Sequence, residues 1–401
     1  MMRSRAYCAA ACLLVFVGHA VPAAAQVDQQ RAQEYFNEVQ VLCERDGGRL
    51  WGVSLCAPMV IGDMRTRTFA TSQPAPEGAR PQLVGLVNAP IQWGGVTWGA
   101  YAWDFVIDDT PRGRRELMLH ELFHAIQPQL GLLVPAPASE HLDSVDGRYW
   151  MRLEWRALAR ALRESGEQRA LAIGAQEITE GLAAYTATVV AAESAADALA
   201  SAVDQLTKAE TQESFVRTFA YASGPAYGLL LDASSAGWTR RVRGSDDLAA
   251  LVMRTVAVQT ATDVTRSAAR YGGVELRALE QRRRQQRDER VAELRLQFVD
   301  GPMLRIPGAG SGSFDARGAV VIPGIGTVYF GAYRFSGDWG ALAAEQGVLV
   351  ESDGGARRVP APVRRDDTTV AGNGWTFTAK PGWVIREGAR RGDYEVIRQQ
   401  P

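Results

Sequence analysis

The chain has 401 residues, of which 46% are hydrophobic and 22% are charged, and its formal net charge is −1. This length allows two or three domains with a sizeable core, and the composition is ordinary for a soluble globular protein. Because the charge balance gives no basic surface, nucleic acid and anionic membranes are not expected as partners.

Residues 1–25 have the pattern of a secretory signal peptide. Arg3 and Arg5 form a basic start, residues 6–21 are apolar, and residues 23–25 are alanines that offer a small-residue cleavage site. The apolar run is short for a membrane span. We therefore expect an exported protein, periplasmic or secreted, that has no stable membrane insertion once the signal is removed.

Cys43 and Cys56 are the two cysteines that follow this segment. In an oxidising compartment, two cysteines that close so short a loop are typical of a disulfide. Two buried thiols are the alternative that the sequence leaves open.

Residues 26–110 are expected to mix helix and strand. An amphipathic pattern predicts an opening helix at 29–42, and short apolar runs predict strands at 50–55, 59–61 and 82–87. Residues 96–107 alternate in character and predict a strand that runs directly into the next helix. A strand of this kind can offer its edge to an extended chain, which binds by adding a strand.

The most informative segment is 120–124, with the sequence HELFH, inside a predicted helix. Thr110 is a suitable N-cap, Pro111 suits the first helical position, and Pro128 closes the segment. Two histidines four residues apart project from the same helical face and can share one Zn²⁺. Glu121 stands where a metalloprotease places the carboxylate that accepts a proton from water. A pair of core histidines is the structural alternative.

The rest of the chain separates into a helical part and a β-rich part. Periodic apolar positions predict helices at 148–164, 167–192, 224–232, 246–258 and 275–294. Short runs between glycine-rich turns predict strands at 319–322, 327–333, 347–351, 375–379 and 394–397. The expected fold is α+β and zincin-like. A mainly helical catalytic domain at 111–295 follows the mixed segment 26–110 and precedes a small β-rich domain at 296–401.

A catalytic zinc site normally takes three protein ligands, and we expect a carboxylate to join His120 and His124. Glu180 opens the segment EGLAAY, whose small residues allow two helices to approach closely. Glu154 competes with it, because it lies on an apolar helix face where a carboxylate needs a partner. Glu180 is the first choice, and both remain candidates.

The segments HELFH and EGLAAY, in this order, resemble the gluzincin metallopeptidases, in particular the aminopeptidase N group and related peptidase-MA-like domains. In those families the Glu of an E-G-x-A segment is the third zinc ligand, which corresponds to Glu180. A tyrosine in a Y-x-x-G segment stabilises the oxyanion there, and this corresponds to Tyr221. The resemblance covers residues 90–235. The interval between His124 and Glu180 is longer than in the aminopeptidases, and the G-x-M-E-N segment that grips a free amino terminus is absent from the sequence.

The motif and the resemblance together imply an exported zinc-dependent metallohydrolase, in first place a peptidase that acts on a peptide or protein. His120, His124 and Glu180 would hold Zn²⁺, Glu121 would be the general base, and Tyr221 would donate to the oxyanion. Two alternatives stay open: a catalytically inactive zincin-fold binding or scaffold protein, and a zinc hydrolase of a non-peptide substrate.

Overall fold

The computed structural model of the chain describes residues 27–63, 66–78, 81, 88–135, 139–163, 178–216, 218–255, 263–315, 318–365 and 369–399. They form a mixed α and β structure with both helices and sheets, as the expected α+β class requires. The chain divides into two compact units, residues 1–276 and 277–401. The predicted signal peptide and the strand predicted at 82–87 lie outside the described residues. Within the described ranges, none of the helices has the length and apolar character to cross a membrane.

The first unit contains a four-stranded sheet and a set of helices. The strands are β1 (Met59–Asp63), β2 (Thr68–Thr71), β3 (Ala89–Trp93) and β4 (Val96–Ala102), in the order β2-β1-β4-β3. β1 and β4 pair in parallel at the centre, and β2 and β3 add antiparallel at the two edges. The helices are α1 (Gln29–Asp46), α2 (Trp103–Asp108), α3 (Pro111–Ile126), α4 (Val145–Arg163), α5 (Glu180–Ala191), α6 (Ala195–Ala209), α7 (Phe219–Ser234), α8 (Leu248–Thr255), α9 (Val264–Arg270) and α10 (Gly273–Arg295), the last of which crosses into the second unit.

Helix α1 forms where the amphipathic pattern predicts it. The Asp28 side chain caps its amino terminus by accepting from the Arg31 N–H, and Gly47 ends it in a left-handed conformation. Cys43, in the last turns of α1, is joined to Cys56 by a disulfide bond. The predicted pairing is confirmed, and it ties α1 to the chain that leads into β1.

The strand predicted at 50–55 is wrong, because the chain turns there instead of extending. Gly48 and Gly52 both have positive φ angles, of 76° and 82°, which glycine adopts without strain. The apolar character that suggested a strand belongs to side chains that fill the core: Trp51 is buried, with its ring centroid 4.9 Å from that of Phe123.

The segment 96–107 is also not the single edge strand that its alternation predicts. Strand β4 ends at Ala102 and helix α2 follows, in which the buried side chains Trp103 and Val106 have helical spacing. β4 lies between β1 and β3, so both of its edges are already paired. The edge of the sheet on this side is β3, and the prediction that β4 presents a free edge is wrong.

Helix α3 begins as its sequence predicts. Thr110 caps it by accepting from the Gly113 N–H, Pro111 is its first residue, and it ends at Ile126. The helix is buried nearly all round, and the Tyr101 hydroxyl of β4 donates to the Met118 carbonyl at 2.9 Å. These contacts fix the helix that carries HELFH against the sheet.

Helices α5 and α7 cross at a pair of glycines. A Cβ atom added to Gly224 would overlap the backbone of Gly181, so the two helices touch through their main chains. The helix predicted at 224–232 begins earlier, at Phe219, which places Tyr221 in its first turn and Pro225 inside it. The crossing brings the start of α7 next to the start of α5.

The second unit consists mainly of two antiparallel-rich sheets that share one core. Its strands are β5 (Met303–Ile306), β6 (Ser311–Ser313), β7 (Val320–Ile322), β8 (Gly326–Tyr329), β9 (Tyr333–Gly337), β10 (Gly340–Ala344), β11 (Val348–Glu351), β12 (Arg357–Pro360), β13 (Arg364–Arg365), β14 (Thr369–Gly372), β15 (Trp375–Ala379), β16 (Trp383–Glu387) and β17 (Tyr394–Arg398). The first sheet has the strand order β13-β14-β15-β10-β9-β6, and the second has the order β16-β17-β5-β12-β11-β8-β7. The strand predicted at 327–333 is two strands, β8 and β9. The other four predicted strands correspond to β7, β11, β15 and β17.

Candidate metal centre

Three side chains from two helices of the first unit converge on one point. The Nε2 atoms of His120 and His124 on α3 lie 3.0 Å apart, and Glu180 Oε2, at the start of α5, lies 3.4 Å and 3.5 Å from them. In a tetrahedral zinc site with bonds of about 2.0–2.1 Å, neighbouring ligand atoms lie about 3.3 Å apart. The spacing therefore fits three ligands of one such ion. Within the described ranges, these residues form the group of His, Cys, Asp or Glu side chains that could hold a metal ion.

Glu154, the competing candidate for the third ligand, lies elsewhere. It is on α4, only 1% exposed, and it is not a member of the converging group. Glu154 is therefore a buried residue of α4 that lies outside the candidate metal centre. Between the two alternatives, the geometry selects Glu180.

Glu180 and His120 have the charge states that metal binding needs, whereas the pKa of His124, which burial would lower, is raised by its hydrogen bonds to Glu180 and Gln127. Partial burial would raise the pKa of Glu180, but hydrogen bonds from His120, His124 and Tyr221 hold that pKa well below its usual range. Its position at the amino terminus of α5 favours the ionised carboxylate as well. Burial lowers the pKa of His120, so this imidazole is neutral and its nitrogen lone pair is available.

Gln127 is a residue of the centre that sequence reasoning missed. Its side chain is fully buried one turn after His124, and its Oε1 lies 2.7 Å from His124 Nδ1. Its Nε2 donates to the carbonyl oxygens of Leu132, Ile178 and Thr179, so the amide orientation is set and Oε1 is the acceptor. His124 therefore carries its proton on Nδ1 and leaves Nε2 for the metal. The signal in the sequence was its position three residues after the second histidine, on the same helical face.

Tyr221 lies directly against two of the ligands. Its hydroxyl donates to Glu180 Oε2 at 2.6 Å, and its ring stacks on the His120 ring with centroids 5.2 Å apart. Burial and then the hydrogen bond to Glu180 raise the pKa of the Tyr221 hydroxyl above its usual value. The hydroxyl is therefore protonated at neutral pH and donates its one hydrogen to Glu180, on a side chain that is 43% exposed.

Glu121 lies beside the ligands on α3, with 6% of its surface exposed. Burial raises the pKa of its carboxyl to about 7, while His124 lowers it and Glu180 raises it. A carboxyl group with a pKa near neutrality can take up and release a proton, as a general base must.

An open cavity of about 700 Å³ adjoins these residues, and His120, Glu121 and Tyr221 form part of its wall. Side chains from α3, α5, α6 and α7 enclose it. A molecule in this cavity would meet the base, the hydroxyl donor and one ligand together. The structure thus brings together the five residues of the first-choice site, His120, Glu121, His124, Glu180 and Tyr221, and leaves the alternative Glu154 outside it.

The comparisons with known proteins found no match. No protein-family model matches the chain, and neither a curated protein nor a solved structure resembles it significantly.

Proposed function

We propose that this protein is a zinc-dependent hydrolase and that its substrate is a peptide. The observation that carries the proposal is the convergence of three ligand atoms 3.0–3.5 Å apart beside a buried glutamate and a tyrosine hydroxyl. Two histidines and one glutamate are a ligand set of catalytic zinc sites, which leave a fourth position for water or substrate.

Each residue of the cluster has a role in this reaction. His120, His124 and Glu180 would hold a zinc ion, which would supply Lewis-acid chemistry that activates water at neutral pH. Glu121 accepts the proton of the attacking water and passes it to the leaving amine. The Tyr221 hydroxyl would exchange its hydrogen bond to Glu180 for one to the oxyanion that forms at the attacked carbonyl.

Two features support a peptide as the substrate. The order HELFH, E-G-x-A and Y-x-x-G resembles the gluzincin metallopeptidases, in which these segments act on peptide bonds, and membership of that group is part of the proposal. The cavity beside Glu121 is large enough for a substrate side chain. The signal-like residues 1–25 would place the activity outside the cytoplasm.

The test compares wild-type protein with Glu121→Gln on a mixed peptide library, with zinc content measured in each sample. We expect about one zinc ion per chain in both proteins, chelator-sensitive hydrolysis by the wild type, and loss of hydrolysis in Glu121→Gln. Glu34→Gln, at an exposed position of α1, is the matched control and should behave as the wild type.

Two results would contradict the proposal. Retained turnover by zinc-loaded Glu121→Gln would remove Glu121 as the base. A folded, zinc-loaded wild-type protein that cleaves no peptide would favour the binding or scaffold alternative.

The variant Tyr221→Phe tests the role of Tyr221 as the oxyanion donor. It should keep the metal and lose about 100- to 1000-fold in kcat, because it deletes one hydrogen-bond donor to the oxyanion.

A further inference from the structure

We propose that the cavity beside the metal centre binds an uncharged, apolar side chain of the substrate, so that the enzyme prefers peptides with a bulky apolar residue next to the cleaved bond. This inference rests on the proposed peptide hydrolysis and adds the class of substrate. It follows from the walls of the cavity, from the pairing of its charges and from its position.

The cavity exists because small side chains line it. Ala184 and Ala187 of α5, Ala209 at the end of α6 and Ala222 of α7 face it, together with Leu117 of α3. Each alanine is less than 10% exposed, and together with Leu117 these residues give the cavity an apolar wall contributed by four helices. An apolar group placed against such a wall is removed from water, which favours binding in proportion to its area.

Two charged residues, Glu116 and Lys208, line the cavity away from the metal centre, and each has an oppositely charged partner within the protein. The Glu116 carboxylate accepts from Arg112 at 2.9 Å and from Ser201 at 3.1 Å. Lys208 Nζ lies 2.6 Å from an Asp204 oxygen. A charged substrate side chain placed against the apolar wall would lose its hydration there, which is unfavourable, and the two charged residues at this end of the cavity already have partners.

Two polar side chains of one wall, Gln205 and Thr188, are also hydrogen-bonded within the protein. Gln205 Nε2 donates to Thr188 Oγ1 at 3.1 Å and to Ser201 Oγ at 3.3 Å. Because this amide donor is used inside the protein, a hydrogen-bonding substrate side chain would gain little binding free energy from this wall. The Gln205 amide is thus bound within the protein and is not a free donor for a polar ligand.

The position of the cavity ties its occupant to the reaction. Leu117 lies one helical turn before Glu121, and Ala222 follows Tyr221 in the chain, so the apolar wall is continuous with the base and the hydroxyl donor. A side chain in the cavity belongs to a residue that adjoins the attacked carbonyl. The volume of about 700 Å³ accepts leucine or phenylalanine, which should be preferred over alanine by about 10- to 100-fold in kcat/KM.

The experiment measures kcat/KM for a matched peptide series that differs at one residue next to the cleaved bond: Ala, Leu, Phe, Lys or Glu. Wild type should prefer Leu and Phe over Ala, Lys and Glu. Ala187→Leu on α5 and, independently, Ala209→Leu on α6 fill the cavity from two walls and should reduce the ratio of Phe to Ala at least tenfold. Ala233→Leu, at an exposed site on α7, is the matched control and should keep the wild-type ratio.

Binding to the Glu121→Gln variant, measured by calorimetry with the Phe and Lys peptides, separates this inference from the proposed function. Hydrolysis without a preference for apolar residues, or with a preference for Lys or Glu, overturns the inference and leaves the hydrolase intact. Preferential binding of the Phe peptide without hydrolysis by the wild type keeps the apolar site and overturns the hydrolase. Absence of both hydrolysis and binding overturns both.

Discussion

Gln127 connects the two chain segments that build the metal centre. Its side-chain oxygen Oε1 accepts from His124 Nδ1. Its side-chain nitrogen Nε2 donates to the backbone carbonyls of Ile178 and Thr179, immediately before Glu180. One buried amide therefore sets the tautomer of one ligand and holds the backbone of another. Partners of this kind orient metal ligands and are often as important as the ligands themselves.

We expect Gln127→Met, which keeps the volume and removes both functions, to weaken zinc binding by about 10- to 100-fold. Competition with a chelator of known affinity measures this change. Nitrogen NMR of the imidazoles supplies a second reading, because His124 should be the Nδ1–H tautomer in the wild type and a mixture in the variant. The exposed Gln33→Met is the control. Unchanged zinc affinity together with an unchanged tautomer would remove Gln127 from this role.

The residues of the centre differ in how far the sequence predicts them. His120 and His124 follow from helical spacing alone, since any helix places positions four apart on one face. The prediction of Glu180 also required its small neighbours and a family resemblance. Glu154 remained an alternative, because a buried carboxylate needs a partner but the sequence does not identify that partner. Gln127 could not be predicted in full, because its partners are backbone carbonyls that approach it only in the folded chain.

At the level of helices, the site depends on the contact between Gly181 and Gly224. This contact lets α5 and α7 approach closely enough for the Tyr221 hydroxyl to reach Glu180 at 2.6 Å. The glycines of the E-G-x-A and Y-x-x-G segments are thus in contact with each other. This contact is a steric reason for a glycine next to Glu180 and another close to Tyr221.

Gly224→Ala should push α5 and α7 apart, because the new methyl group would overlap the Gly181 backbone. Overpacking of this kind typically costs about 1–3 kcal/mol, and here it should also weaken zinc binding by moving Glu180. Thermal unfolding and zinc affinity measure the two effects. Ala233→Gly, on the exposed side of α7, should lose up to about 1 kcal/mol of stability with normal zinc affinity. A Gly224→Ala protein with wild-type stability and affinity would contradict the steric account.

Element prediction succeeds where the local chemistry determines the backbone and fails where tertiary packing does. The start of α3 follows from Thr110 and Pro111, which act within one turn. The segment 96–107 alternates like a strand, yet its second half is helical because Trp103 and Val106 pack into the same core. Helix α6 is absent from the predicted elements, although its buried residues Ala198, Ala202, Leu206 and Ala209 have helical spacing.

For the whole molecule, the metal centre links α3 to α5 and should couple zinc binding to the stability of the first unit. A ligand that binds the native state stabilises it by RT ln(1 + [L]/Kd), about 2.7 kcal/mol at 100 times Kd. We therefore expect a chelator to lower the unfolding temperature of the wild type and to leave that of Glu180→Ala unchanged. Differential scanning calorimetry measures this, and equal shifts in both proteins would show that the stabilising ion binds elsewhere.

The α+β class follows from the change in pattern near residue 296, where helical periodicity gives way to short strands. The order of strands within each sheet does not follow from the sequence, since the parallel pairing of β1 with β4 depends on long-range contacts. The membership in the gluzincins remains a proposal that rests on three short segments and on the geometry that joins them.

The most direct test of the account is the zinc content of purified, folded wild-type, Glu180→Ala and Glu154→Ala proteins, measured by elemental analysis after dialysis. We expect about one ion per chain in the wild type and in folded Glu154→Ala, and loss of the ion in Glu180→Ala. A wild-type protein that takes up no zinc, or a Glu180→Ala protein that holds it as tightly as the wild type, would contradict the central claim.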